Sequence, residues 1–420
     1  MTATAPPPTG VAAPALRTVE VDPAVDLLGL LPEGSGVSWV RRGEGLVGWG
    51  ERARLEVRGP HALAEAAAWW AALVPALVDE DPVGVPGGGP VLFAGVAYDP
   101  VRDSSVFVVP EVVVGRRDGV AWVTTAADRD VADVLRPARS SPGPAPRLRY
   151  ADGALDPASW CAAVAAAVRR IEAGALDKVV LARDLRVDAD APLEPRRLLR
   201  RLAERFPDCW TFALDGLLGA TPELLLRRTG RRLSARVLAG TAPRGAGAED
   251  DRLARALLGS AKDLGEHRLA VDSLAGALRP HTTGLSVPDA PSLLTLANVR
   301  HLATDVTGTQ RAGGPGLLEL VGAVHPTAAV GGSPRAAAAA VIDELEGMPR
   351  GRYAGPVGWL DARGDGEFGL ALRCAELTGP ASARLFAGCG IVRGSDPAAE
   401  LAETQAKFAA VQAALEDRET

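Results

Sequence analysis

The sequence predicts a mixed fold of the α/β (α+β) class, and three observations support this. Residues 17–150 contain short apolar segments bounded by glycine, such as 37–41 and 46–50, together with alternating apolar and polar residues at 52–57, as expected for strands. Longer Ala-, Leu- and Arg-rich segments, such as 250–278, have the composition of helices. The 420 residues are enough for one large domain or for two ordinary ones.

The composition argues against several classes of protein. The net charge is −6 without an extended basic block, which argues against a nucleic-acid partner. Every apolar run is interrupted before it reaches the length of a membrane span, so we expect no membrane-spanning segment. The four cysteines are isolated in the sequence, which disfavours a zinc or iron–sulfur site and fits a cytoplasmic location. Residues 1–16 lack the pattern of a signal peptide and are predicted to be a disordered leader.

The first half, residues 17–150, is interpreted as a strand-rich scaffold. It includes a predicted helix at 62–78 and predicted strands at 91–98, 105–114 and 120–125. None of its motifs carries recognisable chemistry. The Ser- and Pro-rich segment 140–146 marks the best boundary with the second half, 151–420, although a long surface loop inside one domain would have the same composition.

The second half opens with a predicted amphipathic helix, 157–174, that ends at Gly174. The following apolar segment, 179–181, is typical of a buried strand, and Lys178 lies at its start. Two interpretations of Lys178 are open. It is either an edge residue whose charge reaches water, or a desolvated lysine whose lowered pKa makes it a general base.

Two further segments carry candidate groups for acid chemistry and anion binding. Glu223 begins an apolar strand, where it is either a strand-end charge in water or a protonated acid held against leucines. The strand at 237–239 runs into a glycine turn, and the backbone N–H groups there, with Thr241, are candidates for holding an anionic group.

Two acidic pairs suggest a metal site. Asp263 and Glu266 lie three residues apart in the predicted helix 250–278, and Glu400 and Glu403 have the same spacing in a predicted helix at 396–415. They are either ordinary exposed helix faces or the two sides of a site for one hard metal ion with oxygen ligands.

A predicted hairpin, 352–361 and 367–375, places Arg373 on a strand face shared with Gly369 and Ala371. Arg373 is either solvated or, if that face is buried, in need of a carboxylate from the protein or a ligand. A further predicted strand, 293–305, carries His301.

The ordered set of motifs resembles the chorismate-utilising enzymes, most closely the isochorismate synthases, over roughly residues 155–410. The matching segments are Lys178-Val-Val-Leu-Ala-Arg, Thr221-Pro-Glu-Leu-Leu, Ala239-Gly-Thr, Lys262-Asp-x-x-Glu-His, His301-Leu, His325-Pro-Thr-Ala-Ala-Val-Gly-Gly, Tyr353-Ala-Gly-Pro-Val-Gly-Trp, Arg373, Gly388-Cys-Gly-Ile-Val and Glu400-x-x-Glu-Thr-x-x-Lys. Cys389 stands where this family usually has alanine, and a thiol is small enough to fit there.

The resemblance implies a single large domain of two face-packed antiparallel sheets with outer helices, and an active site that binds chorismate and Mg²⁺. In it, Lys178 would activate water and Glu223 would protonate the departing hydroxyl. Glu266 and Glu403 would bind the metal, while Asp263 and Glu400 would hold its waters. His267 would be structural support for Glu266. The implied substrate-binding residues are Gly240, Thr241, His301, Thr327, Tyr353, Arg373, Gly388 and Lys407.

Within the family, the resemblance favours water as the nucleophile. The ammonia-using anthranilate synthases lack the lysine seen at 178, and aminodeoxychorismate synthases carry a lysine where this chain has Ala239. The expected reaction is conversion of chorismate to isochorismate for siderophore, menaquinone or related biosynthesis, by a monomer. The alternatives are a salicylate synthase, which adds pyruvate elimination, and a catalytically inactive regulatory homologue.

Overall fold

The structure is a computed structural model that describes residues 2–3, 15–34, 36–136, 145–296 and 299–416. The predicted leader, 1–16, and the predicted linker, 140–146, lie largely outside these residues. The α-helices are α1 (Ala62–Leu77), α2 (Val131–Val134), α3 (Pro157–Glu172), α4 (Pro195–Arg205), α5 (Ala248–Gly259), α6 (Ala261–Leu278), α7 (Leu317–Val324), α8 (Arg335–Leu345) and α9 (Pro397–Glu416), with short 3₁₀ helices at Leu27–Leu30 and Arg279–His281.

The strands, in chain order, are β1 (Thr2–Ala3), β2 (Leu16–Val21), β3 (Val37–Arg41), β4 (Glu44–Trp49), β5 (Ala53–Val57), β6 (Val78–Glu80), β7 (Val91–Gly95), β8 (Ser105–Val109), β9 (Val112–Arg117), β10 (Val120–Ala126), β11 (Leu148–Asp152), β12 (Lys178–Ala189), β13 (Trp210–Leu214), β14 (Leu217–Thr221), β15 (Leu224–Thr229), β16 (Arg232–Pro243), β17 (Thr282–Ser286), β18 (Ser292–Thr295), β19 (Val299–Gln310), β20 (Gly332–Ser333), β21 (Pro356–Asp361), β22 (Gly366–Leu370), β23 (Cys374–Gly379) and β24 (Ser382–Ile391).

The described strands form two sheets. The first sheet has the order β1-β5-β8-β7-β21-β22-β15-β16-β19-β17, with β18 also paired to β19. The second has the order β11-β12-β24-β23-β14-β13-β3-β4-β9-β10-β2-β6, with β20 also paired to β12. The pairing is antiparallel throughout, except between β2 and β6. Strands from before and after residue 150 pair with each other in both sheets, as β7 does with β21 and β3 with β13. The predicted α+β class with two antiparallel sheets is confirmed.

The inner faces of the two sheets share one apolar core. Trp39 and Phe212 of the second sheet and Phe93, Trp359 and Phe368 of the first are all at least 98% buried within it. Because burial of such large side chains contributes roughly 1.5–3 kcal/mol each, this layer is the main apolar contribution to the sandwich.

Helices cover the outer faces. Helix α6 packs on β16 of the first sheet, and α9 packs on β24 of the second. The predicted helix 250–278 is in fact two helices, α5 and α6, because Ser260 adopts an extended conformation and its side chain accepts a hydrogen bond from Asp263 N as the N-cap of α6. None of the helices in the described ranges is both long and apolar enough to cross a membrane.

The predicted strand at 367–375 is also wrong in its extent. Strand β22 ends at Leu370, and the chain then leaves the first sheet and enters β23 of the second. Arg373 lies in this crossing with a positive φ of 49°. It therefore does not share a strand face with Gly369 and Ala371, and its side chain is placed by the crossing instead.

A buried carboxylate joins the two sheets. Glu367 of β22 is 97% buried, and its Oε2 accepts hydrogen bonds from the indole N–H groups of Trp39 (3.0 Å) and Trp210 (3.1 Å) in the second sheet. Its Oε1 lies 2.9 Å from Arg117 Nη2 and 3.1 Å from Arg227 Nε. Burial opposes ionisation of Glu367, but Arg227 and Arg117 outweigh it and lower its pKa.

Replacing Glu367 with Gln should lower the free energy of unfolding by about 3 kcal/mol at neutral pH, since two arginines then lose their buried counter-charge. Because the folded pKa is lowered, this contribution is present above the unfolded pKa and disappears as pH falls through the folded pKa. Urea unfolding across a pH series measures both effects. Glu20→Gln, at an exposed position on β2, is the control and should change stability by less than about 0.5 kcal/mol. Equal stability of the two variants would contradict this role.

Candidate active site

A cavity of about 90 Å³ lies among β12, β16, β19, β24, α6, α9 and the crossing that carries Arg373. We call it the central cavity. Ten of the residues that the sequence singled out line it, namely Glu223, Gly240, Thr241, Glu266, His301, Tyr353, Arg373, Gly388, Glu403 and Lys407. They come from widely separated parts of the second half of the chain, and the fold brings them together.

Lys178 lies at the start of β12 and is fully buried. Its Nζ is 3.0 Å from Glu266 Oε1. Within the described part of the chain, Nζ has no hydrogen-bond partner apart from this ion pair. A buried ammonium or amine without further partners is costly. Lys178 does not itself line the central cavity, but its partner Glu266 does.

Glu223 lies between β14 and β15 and is 95% buried. Burial raises its pKa to about 8, against the opposing effects of the Leu238 backbone N–H and of Lys178 and Lys407. Glu223 therefore carries a proton at neutral pH. Of the two interpretations left open by the sequence, the structure shows the buried side chain, and its raised pKa favours the protonated form.

Thr241, His301 and Arg373 form a hydrogen-bonded chain. Arg373 Nη2 donates to His301 Nε2 at 2.8 Å, and His301 Nδ1 lies 3.1 Å from Thr241 Oγ1. Because the guanidinium can only donate, Nε2 is the acceptor and Nδ1 carries the imidazole proton. Burial, with Arg373 and Lys407, lowers the pKa of His301 well below its usual range, which keeps the ring neutral. Nδ1–H then donates to Thr241, whose own hydroxyl proton is free for a ligand.

The guanidinium of Arg373 is the clearest anion-binding group of the central cavity. Arg373 is 92% buried, and its Nη1 has no hydrogen-bond partner among the described residues. Its backbone, like that of Ala354, which also lines the cavity, has a positive φ without being glycine. Such conformations cost roughly 1–3 kcal/mol and cluster at functional sites.

Tyr353 and two glycines shape the wall of the central cavity. Tyr353 stacks on Phe386 with ring centroids 5.0 Å apart, and burial raises the pKa of its phenol. A Cβ on Gly388 would lie 3.2 Å from Tyr353 Oη and 2.8 Å from Leu181 O, so only glycine leaves this wall in place. Gly240 has a φ of 79°, a conformation that favours glycine.

The four carboxylates of the predicted metal site come from α6 and α9, and three of them are paired with lysines. Glu266 pairs with Lys178, Glu400 Oε1 lies 2.8 Å from Lys262 Nζ, and Glu403 Oε1 lies 2.7 Å from Lys407 Nζ. In the residues that the structure describes, no three acidic, His or Cys side chains are arranged as a closed metal site.

The donor set nevertheless fits a hard divalent cation. Burial raises the pKa of Glu403 and of Asp263, and Glu266 and Glu400 raise both further by repulsion. Glu266 and Glu403 both line the central cavity. Carboxylates that repel one another at the edge of a cavity are the oxygen ligands that Mg²⁺ takes.

His267 has the contacts of a structural residue, as the sequence suggested. It is 97% buried, its Nδ1 donates to Ala239 O at 3.1 Å, and its Nε2 lies 2.7 Å from Thr304 Oγ1. Burial lowers its pKa. These bonds fix α6, and with it Glu266, on strands β16 and β19.

Thr327 is not brought to the central cavity. It is buried, and its Oγ1 accepts a hydrogen bond from Ala329 N at 3.3 Å within its own turn, while Ala329 and Val330 line the cavity in its place.

The thiol of Cys389 donates to Glu400 O at 3.8 Å, within a core cluster that β12 and β24 share with α3.

Arg350 is a residue that the sequence analysis missed. It is 96% buried, and its guanidinium donates to Glu346, to Val330 O (2.8 Å) and to Val180 O (2.8 Å). Val180 and Val330 both line the central cavity. The one available signal was its position three residues before Tyr353.

Comparisons with known proteins agree with this site. A family profile described as "Chorismate binding enzyme" matches residues 33–416. Isochorismate synthase MenF of Bacillus subtilis is 33% identical over 354 residues, covering 78% of this chain and 75% of that protein. Isochorismate synthase EntC of Escherichia coli is 35% identical over 327 residues, covering 76% and 79%. The solved structure of MenF, the menaquinone-specific isochorismate synthase from Escherichia coli, superimposes with a TM-score of 0.77 at 26% identity, covering 96% and 95%. This chain belongs to the family of chorismate-binding enzymes.

Proposed function

We propose that this protein is an isochorismate synthase, which converts chorismate to isochorismate by adding water at C2 and releasing the C4 hydroxyl. The observation that carries the proposal is that Glu223, a buried carboxyl with a raised pKa, lines the central cavity together with Glu266, the ion-pair partner of the buried Lys178. Relatives that share most of this chain's length are isochorismate synthases by name. The product would feed siderophore, menaquinone or related biosynthesis.

Chorismate is a dianion, and the central cavity offers cations for it. Arg373 has a free Nη1 and no carboxylate partner among the described residues, so it suits the enolpyruvyl carboxylate, with Tyr353 beside it. Lys407 lines the cavity and donates to Gly388 O at 2.7 Å, close to where the ring carboxylate would lie. Thr241 offers the hydroxyl proton that the neutral His301 leaves free.

The exchange of hydroxyls needs a base and an acid. Lys178 takes a proton from water as its oxygen bonds to C2, the ring double bond shifts, and the C4–O bond breaks. Glu223 gives its proton to the departing hydroxyl, so that water leaves and the overall composition of the molecule is unchanged. Lys178 Nζ is held against Glu266 Oε1 by the ion pair, so in this proposal Glu266 is engaged by another cation when Lys178 acts.

We propose Mg²⁺ as that cation, held by Glu266 and Glu403, with Asp263 and Glu400 binding its waters. When bound, the metal would neutralise the ring carboxylate and the two glutamates. The enzyme would act in the cytoplasm, and its four free cysteines fit a reducing compartment. Its monomeric state remains a prediction from the resemblance.

Incubation of the purified protein with chorismate and Mg²⁺ tests the function directly. We expect isochorismate without pyruvate by chromatography and mass spectrometry. EDTA should stop turnover, and added Mg²⁺ should restore it. Salicylate with pyruvate would identify a salicylate synthase instead, and no turnover would indicate an inactive homologue.

Lys178→Ala and Glu223→Gln should each lower kcat by roughly 10²–10⁴-fold, since each removes one proton-transfer group. Chorismate binding, measured by calorimetry, should persist in both, because neither group carries the contacts to the carboxylates. The matched control is Glu56→Gln on β5, an exposed residue of the first sheet, which should keep native turnover. Near-native kcat in either catalytic variant would refute its assignment.

The pH profile should report the proton on Glu223. Because its pKa is raised to about 8, the acid form predominates below this pH and is lost above it. We therefore expect kcat/KM to fall on the alkaline side with an apparent pKa near 8. The residual activity of Glu223→Gln should lack this limb, and an identical alkaline limb in the variant would assign it to another group.

A further inference from the structure

A second cavity shares the lining residue Arg350 with the central cavity. Its volume is about 910 Å³, and it is bounded by the start of α1, the loop 98–103, the end of α7 and one face of α8. Ligand pockets commonly have volumes of roughly 300–1,000 Å³. This second cavity is far larger than the central cavity and is not needed for the proposed reaction.

His325 belongs to a segment that the sequence singled out, and it lines the second cavity. It begins the segment His325-Pro-Thr-Ala-Ala-Val-Gly-Gly, yet it lines the second cavity and is absent from the lining of the central one. It is 96% buried, and its Nε2 donates to Tyr98 O at 3.1 Å. Burial lowers its pKa to about 3, so the ring is neutral. Nδ1 is then a bare acceptor, and it has no partner among the described residues.

The guanidinium of Arg335 lies next to His325 at the second cavity and has no carboxylate partner among the described residues. Arg335 lies at the start of α8 and is exposed toward the cavity. Its Nη2 donates to His325 O at 2.5 Å, and no carboxylate of the described residues lies within ion-pair distance of it. A half-satisfied guanidinium at the mouth of a cavity is suited to a carboxylate ligand, which it can bind through two parallel hydrogen bonds.

Most other charges at the second cavity are already compensated. Arg102 pairs with Asp99 and Asp343, and Arg350 pairs with Glu346. Glu319 accepts a hydrogen bond from Gly316 N at the start of α7. Asp103 accepts one from the Gly351 backbone, and burial raises its pKa, which weakens its repulsion of an anion.

The remaining wall is apolar. Leu63, Ile342, Met348 and Ala339 line it, and the ring of Tyr98 lies against the Arg350 guanidinium at 4.2 Å. We infer that the second cavity binds a small carboxylate with an aromatic or other apolar body, whose carboxylate pairs with Arg335. This site is independent of the proposed reaction.

The probes are benzoate and its three monohydroxylated forms, tested by calorimetry on the full-length protein. We expect one site per chain for at least one of these probes. Arg335→Gln should weaken binding about ten-fold. Ala339→Trp, at an exposed position on α8, should abolish binding by filling the cavity.

Two controls separate this site from the central cavity and from surface charge. Arg373→Gln removes the free cation of the central cavity and should leave benzoate binding unchanged. Arg169→Gln, at an exposed arginine of α3, should also have no effect. The inference is overturned if the native protein binds none of the probes, if Arg335→Gln and Ala339→Trp bind like the native protein, or if Arg373→Gln is the variant that loses binding. Chorismate turnover is not part of this readout, so failure here leaves the proposed function intact.

Discussion

The ion pair between Lys178 and Glu266 is the contact on which the central cavity depends. Lys178 belongs to β12 of the second sheet, and Glu266 belongs to α6, which packs on the first, so the pair joins the two layers at the cavity. A fully buried lysine needs such a partner, because an isolated buried charge costs several kcal/mol. The pair also constrains strand β24. A Cβ on Gly390 would lie 2.0 Å from Glu266 Oε1, so glycine is needed at this position to leave Glu266 in place.

Buried charged groups with an opposite charge beside them can be distinguished from buried groups that lack one, and the second kind are candidates for function. Buried ionisable groups such as Glu346 and Glu367 have opposite charges at hydrogen-bond distance. Glu223 and Arg373 lack such a partner among the described residues. Glu223 avoids the cost by holding a proton, whereas Arg373 stays charged beside a neutral His301. The groups that the protein itself leaves unbalanced are therefore those that a dianionic substrate and a proton transfer would use.

Elements that depend on local sequence pattern were predicted well. Positions that depend on where the chain passes from one sheet to the other were predicted poorly. Strand β12, helix α3 and the acidic pairs on α6 and α9 follow from periodicity and spacing, whereas the chemistry proposed for them comes from the resemblance. Arg373 was placed on a strand, because nothing local reveals that β22 and β23 belong to different sheets or that a non-glycine residue adopts a positive φ. Thr327 was assigned to the substrate through its motif, yet the turn that presents Ala329 and Val330 to the cavity directs its hydroxyl to the backbone.

Lys178 and Glu223, the proposed base and acid, also influence each other through charge. The positive charge of Lys178 lowers the pKa of Glu223, opposing the effect of burial. If Lys178 loses its proton to become the base, this attraction disappears and Glu223 holds its own proton more firmly. The neutral amine and the protonated carboxyl are thus the mutually stabilising pair of states, and they are the two states that the proposed addition of water at C2 and departure of the hydroxyl at C4 would require.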